Sequence, residues 1–396
     1  MSPESWPAIE EHVYLRTFRR VPVTIVRGQG TRVWDDAGRK YLDFVAGWAV
    51  NTLGHCHPVL VDAICRQAGT LIHTSNQFYT VPQLELAELL VSNSCMDRVF
   101  FANSGVEATE GAVKLARRYG KLHLNGAYEV ITVGDSFHGR TLAMTAATAQ
   151  PKFQEPYTPL PVGFVNVAWN DPEAIRKATG PLTCAVMLEP IQGESGVRIP
   201  APDYLKHARQ WCDERGILLI LDEVQTGIAR TGTLFAYEQA GIEPDVMAIA
   251  KGLGSGVPIG AILAKERASA FSPGDHGGTF TGNPLVCAAA TAVMRYVIEN
   301  DIPAHVRRVG AHFLACLQDI VRDFPIAREA RGAGLLLALE FREDIAEDVT
   351  LQCLQKGLLI NKVRTNTLRF MPPLTVTGQE VDEGISILRG VLASRA

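Results

Sequence analysis

Three places in the 396-residue chain set reactive side chains directly after a short apolar run. In Leu218-Leu219-Ile220-Leu221-Asp222-Glu223 the run ends on two carboxylates, which are costly to desolvate unless they meet cations or hydrogen-bond donors. In Val246-Met247-Ala248-Ile249-Ala250-Lys251 it ends on an ammonium, followed by Gly252, Gly254 and Gly256. Partial desolvation lowers the pKa of such an amine and makes it nucleophilic. In Phe100-Phe101-Ala102-Asn103-Ser104-Gly105-Val106-Glu107 a Ser-Gly turn opens a helical composition running to Tyr119. Backbone N–H groups at a helix start, with a serine hydroxyl, make a phosphate site.

Each feature alone has an ordinary alternative. Ser104 with Glu107 is also a capping box, the acid pair a solvated loop or metal ligand, and Lys251 a lysine snorkelling from a strand end. Together they match the three handles of pyridoxal phosphate. An amine condenses with its aldehyde, a carboxylate keeps the ring nitrogen protonated so that the ring accepts electrons, and a helix start holds the phosphate.

Ligands of open α/β sheets lie beyond the carboxyl ends of the strands, so these groups need a sheet to present them. Seven apolar runs supply one: Arg98 to Phe101, Glu129 to Val133, Gly163 to Val167, Ala185 to Leu188, Ile217 to Leu221, Val246 to Ala250 and Ile259 to Ala264. They alternate with helical segments, which predicts a mostly parallel sheet covered on both faces. The first fifty residues carry three β-rich stretches around the turn Asp35-Asp36-Ala37-Gly38. A long Ala-rich helix is expected after Asn283-Pro284, then an α+β region. The expected division is an N-terminal part of a small domain at 1–50, a large domain at 51–300, and the rest of the small domain at 301–396.

Composition narrows the function classes. Hydrophobic residues are 47%, charged residues 20% and the net charge −4, with no basic run, so neither nucleic acid nor a membrane is an expected partner. Apolar stretches are strand-length, far below the roughly 20 residues that span a bilayer. Met1–Glu11 lacks the apolar region of a signal peptide, and eight cysteines without C-x-x-C spacing read as reduced thiols of a cytoplasmic protein. There is no G-x-x-x-x-G-K-[ST], no G-x-G-x-x-G and no G-x-S-x-G. His55-Cys56-His57 has no further ligands at metal spacing, and no metal is expected.

The chain resembles the class III (ω-amino) aminotransferases, closest to the branch acting on N-acetylornithine. The resemblance runs nearly end to end, through Gly54-His55-Cys56-His57-Pro58, Phe101 to Ala108, Phe137-His138-Gly139-Arg140-Thr141 and Leu188-Glu189-Pro190-Ile191-Gln192-Gly193-Glu194. It continues in Leu221 to Gly227, Ala250 to Gly254, Gly277 to Pro284 and Leu368-Arg369-Phe370-Met371-Pro372-Pro373. The resemblance implies a type I pyridoxal-phosphate transferase fold, α/β, with a seven-stranded large domain and a small domain from both termini. It also implies a homodimer with shared active sites.

On this resemblance Lys251 would bind the cofactor and move protons, and Asp222 would hold the ring nitrogen. Gln225 would face the ring hydroxyl and Phe137 would stack on the ring, beside His138. Ser104, Gly105 and Val106 would take the phosphate, with Thr279 arriving from the other subunit. Arg140 would take a distal carboxylate, and Arg369 the α-carboxylate of 2-oxoglutarate or glutamate. Guanidinium forks suit carboxylates because they grip them with paired hydrogen bonds. Glu194 would pair with Arg369 when an ω-amine donor brings no carboxylate there. The implied reaction moves a terminal amino group, from N-acetylornithine first, to 2-oxoglutarate. Rivals are 4-aminobutyrate, ornithine, succinylornithine or lysine as donor, or a 2,1-aminomutase, which has little use for that switch. Val106, Thr109, Ser195, Ala229, Ser255 and Thr281 depart from the residues more usual in the family. Gly47 stands near where ornithine enzymes carry tyrosine, which favours an N-acylated donor.

Overall fold

The computed structural model describes residues 6–395; the first part of Met1–Glu11 and the terminal residue of the 301–396 stretch lie outside them. Three strands open the chain: β1 (Ile25–Gln29), β2 (Arg32–Asp35) and β3 (Lys40–Asp43). Seven follow: β4 (Arg98–Ala102), β5 (Glu129–Val133), β6 (Phe164–Val167), β7 (Thr183–Leu188), β8 (Leu218–Asp222), β9 (Val246–Ile249) and β10 (Gly260–Ala264). The last five are β11 (Ala327–Ala333), β12 (Leu336–Phe341), β13 (Leu358–Leu359), β14 (Asn361–Arg364) and β15 (Thr367–Phe370).

The seven apolar runs form one sheet in the order β4-β10-β9-β8-β7-β5-β6. Every residue of β7, β8, β9 and β10 is buried. Burial on both faces is why these strands read as unbroken apolar runs. β10 is the antiparallel member, paired against both β4 and β9. Its direction follows from the connection. A parallel crossover needs a dozen or more residues, usually a helix, and β9 reaches β10 through a short loop containing only the 3-10 turn Lys251–Leu253. The remaining six strands place their carboxyl ends at one edge of the sheet.

A second sheet, β1-β2-β3-β13, joins the two ends of the chain: Leu42 of β3 lies opposite Leu358 of β13 in a parallel pair. β3 stops at Asp43, because the Asp43 Oδ1 accepts the amides of Val45 and Ala46 at 2.9 Å and turns the chain. The third sheet, β11-β12-β15-β14, is antiparallel and packs against the helix Ile302–Asp323. Phe313 on that helix contacts Phe44 and Phe370, with ring centroids 5.3 and 5.4 Å away. Among the described residues no helix is long and apolar enough to cross a membrane, and all eight cysteines are free.

Candidate active site

A cavity of about 360 Å³ lies against the strand carboxyl ends. Ten sequence-predicted residues line it: Ser104, Gly105, Val106, Phe137, His138, Arg140, Glu194, Asp222, Gln225 and Lys251. Arg369 stands behind Glu194, outside the lining. Thr279 is not brought there; it lies on an exposed loop of the same chain.

Alternation along the chain sorts the acid that ends β8 from the one directly after it. Asp222 faces the cavity, and Glu223 points the opposite way, where it accepts the amides of Ala236 and Tyr237 at 3.0 and 2.8 Å. Asp222 Oδ2 lies 2.8 Å from His138 Nδ1, both side chains being buried. Burial opposes charge on His138, but the bond to Asp222 and the fields of Asp222 and Glu189 outweigh it and raise its pKa. His138 Nε2 is buried without a hydrogen-bond partner among the described residues. Thr109 donates to the His138 carbonyl at 2.7 Å, which gives that unusual threonine a positioning task.

Lys251 follows β9 with φ 41, a left-handed conformation rare for a side-chain-bearing residue and typical of functional sites. Half-buried at the cavity wall, its amine is desolvated, which pushes its pKa down; Glu194 opposes that shift and Arg369 reinforces it. Ser104 caps the helix Gly105–His123 by accepting the Glu107 amide at 3.3 Å. Glu107 returns the contact at the amide of Asn103, 2.6 Å away. Glu107 thus reaches past the cap and does not close the reciprocal bond of a capping box on the Ser104 amide, and the amides of the first helical turn, which have no intrahelical acceptor, remain at the cavity wall. Gly139, at φ 136, admits no side chain: a Cβ would lie 2.3 Å from Val106 Cγ2.

Arg369 is buried, 1% exposed. Its Nη1 donates to Glu194 Oε1 at 2.8 Å, to the Gly193 carbonyl at 2.9 Å and to Gln225 Oε1 at 3.2 Å. Gln225 Nε2 in turn donates to Glu194 at 3.2 Å. Burial alone would raise the Glu194 pKa, but Arg369 and Lys251 overcome it and hold the carboxyl at about 2. Arg140 is exposed at the mouth, its guanidinium 4.0 Å from the Phe153 ring centroid and 5.3 Å from that of Phe137.

Two site residues escaped sequence reasoning. Asn361 Oδ1 accepts both Nη2 and Nε of Arg369, at 2.8 and 3.1 Å. Glu189 accepts the amides of Phe137 and Gly193 at 2.8 and 3.2 Å, and burial pushes its pKa to about 7. Its position directly after β7 was the available signal. The weighed metal ligand His55 is instead bound to Asp43 at 2.8 Å.

A desolvated amine, a carboxylate supported by a buried histidine, unpaired helix amides and an aromatic wall fit a phosphorylated aromatic aldehyde. Fold and site together define a pyridoxal-phosphate enzyme. A family model described as aminotransferase class-III matches residues 13–392. The acetylornithine aminotransferase of Caldanaerobacter subterraneus is 50% identical over 385 residues, covering 97% of this chain and 98% of the relative. That of Methanocaldococcus jannaschii is 47% identical over 390 residues, covering 98% of each. Among solved structures, the ornithine aminotransferase of Toxoplasma gondii superposes with a TM-score of 0.94 at 34% identity, covering 98% of this chain and 94% of that one. An N-acetylornithine aminotransferase from Stenotrophomonas maltophilia gives 0.84 at 38% identity, covering 98% of each. The chain belongs to the class III aminotransferases, and its cofactor is pyridoxal phosphate.

Proposed function

We propose that the enzyme moves the terminal amino group of N-acetylornithine to 2-oxoglutarate, giving glutamate and the semialdehyde in a two-stage cycle. The observation that carries this reading is the Glu194–Arg369 bond at the cavity wall. It neutralises a buried guanidinium whenever the substrate offers no carboxylate, and Arg369 becomes a carboxylate fork when Glu194 swings away. The names of the relatives support the N-acylated donor.

When bound, the cofactor supplies an aldehyde that amines condense with and a protonated ring that accepts electrons. Lys251 Nζ would hold the aldehyde, and its desolvated amine is the group that would give and take the proton at the substrate carbon bearing nitrogen. Asp222 would keep the ring nitrogen protonated, and His138 holds Asp222. Phe137 covers a ring face. Ser104, Gly105 and Val106 hold the phosphate, and Gln225 adjoins the Glu194–Arg369 pair. Arg140 receives the donor's carboxylate and the distal carboxylate of 2-oxoglutarate.

Two copies pair through the exposed apolar face that includes Phe78 (63% exposed), Tyr79 (94%) and Phe280 (63%), each copy's Thr279 completing the other's phosphate site. Eight free thiols support a cytoplasmic location. Incubation with N-acetylornithine and 2-oxoglutarate is expected to yield glutamate one-for-one with donor consumed, and Lys251→Ala to yield none. Donor loss without glutamate would refute the transfer.

A further inference from the structure

The Glu194–Arg369 bond joins two hairpins distant in the chain. Glu194 sits in a short hairpin closed by the antiparallel bridge between Gln192 and Arg198. Arg369 lies on β15, and its partner strand β14 contributes Asn361 beside the guanidinium and Arg364 at the far end. Asp135, in the turn after β5, touches both hairpins. Its Oδ2 accepts Arg198 Nη1 at 2.7 Å and lies 3.2 Å from Arg364 Nη2. Its carbonyl accepts the hydroxyl of Ser195, the buried residue next to Glu194. Its own amide donates to the Ala149 carbonyl at 3.0 Å, and its φ of 63 leaves the turn little freedom. Asp135 does not line the cofactor cavity.

We propose that Asp135 is a positioning residue for substrate exchange: its carboxylate ties the Glu194 hairpin, through Arg198, to the Arg369 hairpin, through Arg364. This rests on the two-substrate reading of Glu194 and Arg369. Without the carboxylate, Arg198 and Arg364 are left as neighbouring like charges that repel, and this tie between the hairpins is lost, leaving the Glu194 hairpin held to the third sheet by Arg331, which donates to the Gly196 and Val197 carbonyls. Glu194 then seats less firmly on Arg369. The amine half-reaction needs that bond closed and is weakened, whereas the 2-oxoglutarate half-reaction needs it open and is spared.

The test measures the two half-reactions separately in the full-length holoenzyme. Asp135→Asn keeps the shape and removes the charge. Because the pair is partly exposed, kcat/KM for N-acetylornithine is expected to fall about fivefold. The value for 2-oxoglutarate is expected to stay within about twofold. Arg364→Gln, on the surface, is expected to shift the ratio in the same direction, and Asp135→Glu to restore part of it. Combined with Glu194→Gln, Asp135→Asn is expected to add no further asymmetry, because it acts through Glu194. Equal losses in both halves for Asp135→Asn and Arg364→Gln would mark a merely structural role and overturn the proposal. Asymmetry in Glu194→Gln without any in Asp135→Asn would overturn it alone. Symmetry in Glu194→Gln would remove the two-substrate reading with it.

Discussion

Glu194→Gln removes one charge from the pair and preserves its shape. Breaking a buried ion pair from one side costs about 3–5 kcal/mol. Here Arg369 keeps the carbonyl of Gly193 and the side-chain oxygens of Gln225 and Asn361, and Glu194 is 33% exposed. Those features reduce the penalty to roughly 2 kcal/mol, or about 30-fold in rate. It falls on the donor half-reaction, in which nothing else neutralises Arg369. The keto-acid half-reaction removes Glu194 from Arg369 in any case, so it is expected to hold steady or quicken. Single-turnover absorbance of the bound cofactor, followed with N-acetylornithine and separately with 2-oxoglutarate, reads the two numbers. The Glu194 pKa near 2 is depressed from 4.5, so the bond's stabilisation is complete above the ordinary carboxylate value. It is lost only as pH falls through about 2, and the donor half-reaction of the wild type is expected to show no Glu194 titration near neutrality. Equal losses in the two halves, or none in either, would show that the Glu194–Arg369 bond does not distinguish the two substrates.

Further substitutions test the other parts. His138→Leu leaves Asp222 buried without its partner and is expected to lower stability by about 3 kcal/mol in urea titrations. Because the His138 pKa is raised, the difference from wild type is expected to be fullest below the ordinary histidine value and to shrink as pH rises through the folded one. Gly139→Ala places a Cβ 2.3 Å from Val106 in a backbone region alanine avoids, so calorimetry should find it about 2 kcal/mol less stable, with weaker cofactor retention. Arg140→Gln is expected to raise KM for donor and keto acid together, leaving the absorbance of the resting enzyme unchanged. Tyr79→Asp is expected to give a monomer by light scattering.

What was legible in the sequence was what burial writes into it. Strands covered on both faces show as continuous apolar runs, and Asp222 and Lys251 are conspicuous because ionisable groups end such runs. The reversal of β10 was less visible, since an apolar run has no direction; only the short connection encodes it. Contacts across the chain left no local trace. Asn361 reads as an ordinary strand residue until β14 pairs with β15 beside Arg369. Asp135 reads as a turn former until Arg198 and Arg364 converge on it. Glu189 was legible in position but not in task, because its partners are backbone amides of two separate loops.

The donor assignment is tested most directly by comparing kcat/KM for N-acetylornithine, N-succinylornithine, ornithine, lysine and 4-aminobutyrate at one concentration of 2-oxoglutarate. N-acetylornithine is expected to rank first, with free ornithine well below it. Ornithine or 4-aminobutyrate in first place would contradict the assignment.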